Sequence, residues 1–130
     1  VFSDADDLQQ SRWWVVDWKS NWIGERGESG GPSCCGPRHY NQKAMDEQMR
    51  HHHYPLQAHL YLVALHRHLK WRLPGYVPER HLGGYVYIFL RGMPGKSVDD
   101  PVLPGPGRIV EPAPLQRVLA LDRLLLQGAV

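Results

Sequence analysis

The chain has 130 residues, 42% of them hydrophobic, enough for one modest core and too few for a second domain. Its formal net charge of +2 is compatible with a polyanionic partner but excludes the basic arm of a sequence-blind coat protein. No apolar run approaches the length of a membrane span, and the first residues lack the regions of a signal peptide, so a soluble chain with no membrane association is expected.

Val1-Phe2 reads as the tail of a strand with no initiator Met before it, as in a fragment of a longer protein. Residues 3–10 are polar and rich in Asp and suit a hairpin loop. Asp4, Asp6 and Asp7 read as solvated turn formers there rather than as metal ligands. The run Trp13-Trp14-Val15-Val16-Asp17-Trp18-Lys19 predicts a strand. Alternation on a strand puts Asp17 and Lys19 on one face and Trp14, Val16 and Trp18 on the other. A carboxylate and an ammonium brought together at a strand end suit metal-assisted phosphodiester hydrolysis. The acid supplies an oxygen ligand for a hard divalent cation, and the cation beside it positions a water or offsets charge on the phosphate. Bare D-x-K triplets are frequent by chance, and such a triplet alone reads as an exposed ion pair at a strand terminus. Context has to decide.

Residues 20–38 shift to Gly, Ser, Pro and charge and read as a flexible surface loop. Cys34 and Cys35 are adjacent, which strains an intrachain disulfide and does not match a zinc-site spacing. They are expected to be reduced thiols of a cytoplasmic protein. Helical signals begin near Arg38, with Tyr40, Ala44, Met45 and Met49 at helical spacing. His51, His52 and His53 follow as a helix end or connector, because consecutive helical positions cannot converge on one ion. Pro55 opens a second helix that runs to about Arg72. Two apolar stripes, with only the side bearing His59, His66 and Lys70 polar, predict that this helix is buried between layers. Gln57 and Tyr61 stand four residues apart on it, one above the other. They read either as an amphipathic boundary bonded to nearby backbone or as a face turned to the strand end. Leu73-Pro74-Gly75-Tyr76 breaks the helix. Residues 83–92 predict a strand apolar on both faces until Arg91, hence central in a sheet. A Pro/Gly linker over 94–108 precedes a terminal helix over 113–127, with Pro112 at its start and Gly128 at its end.

The blocks V-V-D-W-K-S-N-W (15–22), Tyr40 with Ala44-Met45, Y-P-L-Q-A-H-L-Y-L-V-A-L-H-R-H-L (54–69) and R-L-P-G-Y-V-P-E-R-H-L-G-G-Y-V-Y-I-F-L-R-G-M (72–93) follow one another in order. Together they resemble the C-terminal nuclease domain of exodeoxyribonuclease V beta subunits, the RecB type within the PD-(D/E)xK nuclease superfamily. The resemblance covers most of the chain. It implies an α/β, restriction-endonuclease-like core, a central mixed sheet flanked by helices and truncated at its N-terminal side, as the C-terminal part of a single nuclease domain.

By the same resemblance Asp17 is a Mg2+ ligand, with the main-chain carbonyl of Trp18 a further one, and Lys19 is the catalytic lysine. Gln57 and Tyr61 match the family's Q-x-x-x-Y helix motif, which lines the site. The family's other acidic ligand and its upstream histidine and glutamate have no counterpart here, the acid being expected just before Val1. ATP binding is expected in a helicase motor farther upstream, since nothing here resembles a phosphate-binding Gly-rich loop with its lysine. The implied activity is magnesium-dependent DNA phosphodiester hydrolysis by the exonuclease domain of a helicase-nuclease in double-strand break repair and recombination. The implied partners are DNA, contacted along its backbone without base specificity, and the other subunits of a heterotrimer. The alternatives are another PD-(D/E)xK nuclease, or a non-catalytic DNA-binding or subunit-docking module.

Overall fold

The structure, a computed structural model, describes residues 1–94 and 105–128. Most of the predicted 94–108 linker therefore lies outside the described residues. Among the described residues there are six strands: β1 (Phe2–Ser3), β2 (Trp13–Lys19), β3 (Glu25–Arg26), β4 (Pro32–Cys34), β5 (Leu82–Phe89) and β6 (Arg108–Pro112). The α-helices are α1 (Gln42–His51), α2 (Tyr54–Arg72), α3 (Pro78–His81) and α4 (Leu115–Gln127). Four strands form a mixed sheet in the order β1-β2-β5-β6, flanked by helices, as expected. β1 runs antiparallel to β2, with Phe2 opposite Trp14. The Phe89 amide donates to the Gly107 carbonyl (2.7 Å) and that of Ala113 to Gly83 (2.9 Å), so β5 and β6 are antiparallel. All eight residues of β5 are buried, as its central place and unbroken apolar run require. No helix among the described residues is long and apolar enough to cross a membrane.

The chain divides into two compact units. The first comprises Val1–Val16, Tyr54–Tyr85 and Glu111–Val130. Its α2 begins with Pro55 in the first turn, where a missing N–H costs nothing. The helix buries Ala58, Leu62, Val63, Leu65, His66 and Leu69, while Leu56, Leu60, Tyr61 and Trp71 are exposed. The expectation of a helix apolar on most of its circumference and buried between layers is thus narrowed: α2 buries one side, which packs in part against α4. His66, read as polar and outward, is buried. Its Nδ1 meets the Tyr76 hydroxyl at 2.9 Å, and Asp122 lies 3.9 Å from its Nε2, so partners distant in sequence satisfy it. Arg67 Nε donates to Asp122 Oδ1 at 2.5 Å and ties α2 to α4. α4 begins at Leu115, because Pro112 belongs to β6, a strand hidden in sequence by its Pro/Gly surroundings. Among the apolar residues of α4, Val118 is buried and Leu125 and Leu126 are exposed.

The second unit comprises Asp17–His53 and Val86–Val110. Within the segment read as a loop, β3 and β4 pair as a short antiparallel ribbon. Glu25 of that ribbon meets His39 at 3.2 Å and Arg38 at 2.7 Å, and these contacts hold its carboxyl below the usual carboxylate range. A 3-10 turn at Pro37–His39 leads to α1, whose first turn is capped by Asn41 Oδ1 accepting from the Ala44 amide (3.1 Å). His51 ends α1, His52 caps it, and His53 takes φ 55°, so the three imidazoles form the connector that the sequence indicated. Tyr40, fully buried, packs on Gly92, where a Cβ would stand 2.4 Å from that of Tyr40. Only glycine allows that approach.

Candidate active site

The second half of β2 carries Asp17, Trp18 and Lys19 in the second unit. Strand alternation sends Asp17 and Lys19 to the same face, and Lys19 Nζ donates to Asp17 Oδ2 at 2.7 Å. The pair is not the exposed terminus that a bare triplet suggests: the Lys19 side chain is 9% exposed and that of Asp17 25%. The Lys19 ammonium also lies 4.7 Å from the centroid of the Tyr87 ring, a cation–π contact from β5. Tyr87 was not legible as a site residue, since only pairing of β2 with β5 brings the two together. Trp18 projects from the strand with 60% of its surface exposed.

The backbone just after Lys19 is anchored. Arg91 donates to the Ser20 carbonyl, the Tyr40 hydroxyl donates to the Asn21 carbonyl at 2.5 Å, and Asn21 Nδ2 donates to Gln48 Oε1 at 3.0 Å. Burial, with Cys35 Sγ 3.3 Å from its hydroxyl, pushes the Tyr40 phenol up to about 12, so it is a donor throughout the physiological range. Arg91 further lies 5.8 Å from the Trp22 ring centroid. These contacts fix the exit of β2 and hence the direction of the Lys19 side chain. Tyr40 and Arg91, which the sequence reading placed only in a helix pattern and at a strand end, are positioning residues.

Whether this end of β2 suits magnesium rests on its donors. Asp17 Oδ1 has no hydrogen-bond partner among the described residues, and the side chain is open to solvent over a quarter of its surface. A hard oxygen of this kind is what Mg2+ takes, and Mg2+ retains several waters beside one or two carboxylates. No group of three His, Cys, Asp or Glu side chains among the described residues is arranged to hold a metal. Asp17 thus fits as one ligand of such a site and does not complete it. Asp4, Asp6 and Asp7 lie in the turn before β2, where the Asp4 and Asp7 carboxylates accept from the Arg12 and Gln9 amides, as the turn reading expected.

Gln57 and Tyr61 lie on α2 in the first unit, one turn apart. Gln57 is half-buried and Tyr61 is 40% exposed, so the phenol stands at the surface and not within a buried helix.

No family model matches the chain. Among curated proteins it is similar to the RecBCD enzyme subunit RecB of Mycolicibacterium smegmatis, 46% identical over 114 residues, which is 85% of this chain and 10% of that protein. It is 41% identical over 123 residues to the subunit of the same name from Mycobacterium tuberculosis, covering 93% of this chain and 10% of the relative. With the RecB subunit of Escherichia coli the identity is 40% over 92 residues, 71% of this chain and 7% of the relative. The chain spans about a tenth of the length of the curated relatives it matches. With these matches and the D-x-K strand in a mixed α/β sheet, the chain belongs to the RecB family, of which it represents one segment.

Proposed function

We propose that this segment carries part of the phosphodiester-cleaving centre of a RecB-type helicase-nuclease, an exodeoxyribonuclease that acts with partner subunits on DNA in double-strand break repair and recombination. The observation that carries the reading is the Asp17–Lys19 pair, 2.7 Å apart and largely enclosed, at the end of β2 in a chain related to RecBCD subunits. Asp17 Oδ1 and the Trp18 carbonyl are the chain's own donors to Mg2+, and the remaining positions fall to water and to residues outside those described. Bound there, the ion would polarise the scissile phosphate and lower the pKa of the attacking water. Lys19, held in place by Asp17 and the Tyr87 ring, orients the water by hydrogen bonding and offsets charge that builds on the phosphoryl oxygens. The water gives up a proton to solvent as its oxygen bonds to phosphorus and the phosphorus–ester oxygen bond breaks, and the leaving oxygen takes up a proton from solvent. Gln57 and Tyr61 steady the DNA backbone. Base identity plays no part, since the groups involved address phosphate. ATP use belongs to the helicase motor of the longer protein.

The roles of the two β2 residues separate in one experiment on the longer protein. Asp17→Ala is expected to remove magnesium affinity and cleavage together, whereas Lys19→Ala abolishes cleavage and leaves magnesium binding largely intact. Calorimetric magnesium titration beside a nuclease assay reads both, and near wild-type turnover in Lys19→Ala would refute the assignment.

A further inference from the structure

The C-terminal half of α2 lies outside the Q-x-x-x-Y stripe and has chemistry of its own. Over its 19 residues α2 contains no acid, and its last two turns carry Arg67, Lys70 and Arg72. Lys70 stands nine residues beyond Tyr61, about 13 Å along the helix axis. The Arg67–Asp122 bond sets the C-terminal halves of α2 and α4 side by side. Two shallow cavities flank that bond: one of about 300 Å³ between Arg67, Lys70, Trp71 and Leu126, and one of about 340 Å³ that Lys70 shares with Arg123, His66 and Tyr76. Asp122 is the sole acid lining either cavity, and Arg67 already holds it. Lys70, Arg72 and Arg123 have no carboxylate partner among the described residues. Beside them Trp71 is 76% exposed, with the Arg72 guanidinium 4.9 Å from its centroid and His68 edge-on at 6.3 Å.

Unpaired cations lining a shallow groove next to a supported, exposed indole are the components of a site for single-stranded nucleic acid. The cations track the phosphates, and a base stacks on the ring whatever its sequence. We propose that the α2–α4 face formed by Lys70, Arg123, Arg72 and Trp71 is a second contact for single-stranded DNA, separate from the Asp17–Lys19 strand end. The proposal rests on the reading of the protein as a DNA-processing subunit and extends it. Phosphates sit against Lys70 and Arg123, and a base stacks on Trp71. An acidic polypeptide is the competing occupant, for which only Leu126, exposed at the rim, speaks, and the experiment separates the two.

The 130-residue chain is titrated in EDTA against fluorescein-labelled oligo(dT) of about fifteen nucleotides, a length within the usual site size of such modules, over a series of potassium chloride concentrations. Lys70→Gln and Arg123→Gln are expected each to lower the slope of log affinity against log salt by roughly 0.7, with Lys70→Arg restoring it. Trp71→Ala is expected to weaken binding about tenfold, with Trp71→Phe retaining most of it. All these side chains are exposed, so their replacement should leave the fold in place. Wild-type affinity and salt slope in the Gln and Ala variants would overturn the proposal. So would displacement of oligo(dT) by polyglutamate at equal charge, which would mark the face as a dock for acidic protein. Neither result bears on cleavage, which Lys19 variants of the longer protein report independently.

Discussion

The enclosed Asp17–Lys19 pair predicts an asymmetry in stability between its two partners. At 2.7 Å and an effective dielectric of about 20 the gross attraction is about 6 kcal/mol, offset by several kcal/mol of desolvation per ion. Asp17→Ala leaves the Lys19 ammonium, 9% exposed, without its carboxylate. Removal of one partner of a fully buried pair costs about 3–5 kcal/mol, and the quarter of the Asp17 surface open to water lets solvent reach the ammonium, so about 2–3 kcal/mol is expected. Lys19→Met behaves differently. The thioether chain keeps most of the packing on Tyr87, and Asp17 solvates through its exposed side, so the loss is the cation–π contact, about 0.5–1 kcal/mol. The gap of about 2 kcal/mol corresponds to roughly 6–10 °C in Tm for a chain of this size. Thermal melts and urea titrations of both variants, followed by circular dichroism, measure it. A Lys19→Met loss as large as that of Asp17→Ala would refute the reasoning, because the lysine would then be a structural member of the pair. The expected result instead leaves a buried lysine that the fold does not need.

Other consequences are open to direct measurement. Gly84→Ala places a Cβ 2.0 Å from the Glu111 carbonyl and 2.8 Å from the Trp14 ring, so backbone has to move and β5 has to part from β6. A loss above about 3 kcal/mol in urea unfolding is expected, well beyond the typical point mutant. Gln57→Ala and Tyr61→Phe in the longer protein should lower single-turnover cleavage about tenfold or more with little change in Tm. A lost hydrogen bond of about 0.5–1.5 kcal/mol with unaltered cleavage would return both to the scaffold. Burial holds the His66 pKa below its ordinary value, with Lys70 and Arg67 adding to the effect and Asp122 opposing it. The neutral form is thus favoured on folding. Stability should be fully present above about pH 6.5, the ordinary histidine value, and fall as pH drops through the folded pKa. His66→Gln should flatten Tm between neutral and mildly acid pH, and an unchanged slope would contradict this.

Strand β2 was legible to the residue because alternation, aromatic content and its terminal charges agree. β5 was legible as central because it is apolar on both faces, though the last three residues of the strand predicted over 83–92, Leu90–Gly92, turn into a 3-10 segment. β6 was not legible: Arg108–Pro112 ends in a proline and follows a Pro/Gly tract, so local propensity argues against a strand that pairing with β5 creates. The burial of α2 was overestimated because its two leucine stripes look alike in sequence, whereas contact with α4 selects one. His66 was misplaced for the same reason, its partners Tyr76 and Asp122 lying on other elements. At the site, spacing alone indicated that Asp17 meets Lys19 and that Gln57 stands over Tyr61. Tyr87, Tyr40 and Arg91 reach the lysine and the backbone after it only through tertiary pairing.

The most direct test of the account is single-turnover cleavage of end-labelled linear DNA in magnesium by the longer protein carrying Lys19→Met. Because the substitution is expected to leave the fold and Asp17 in place, a loss of about a hundredfold or more is predicted with Tm lowered by no more than a few degrees, the scale on which removal of one preorganised charge-stabilising group acts. Cleavage within a few-fold of the unaltered protein would contradict the claim that the Asp17–Lys19 strand end is the cleaving centre.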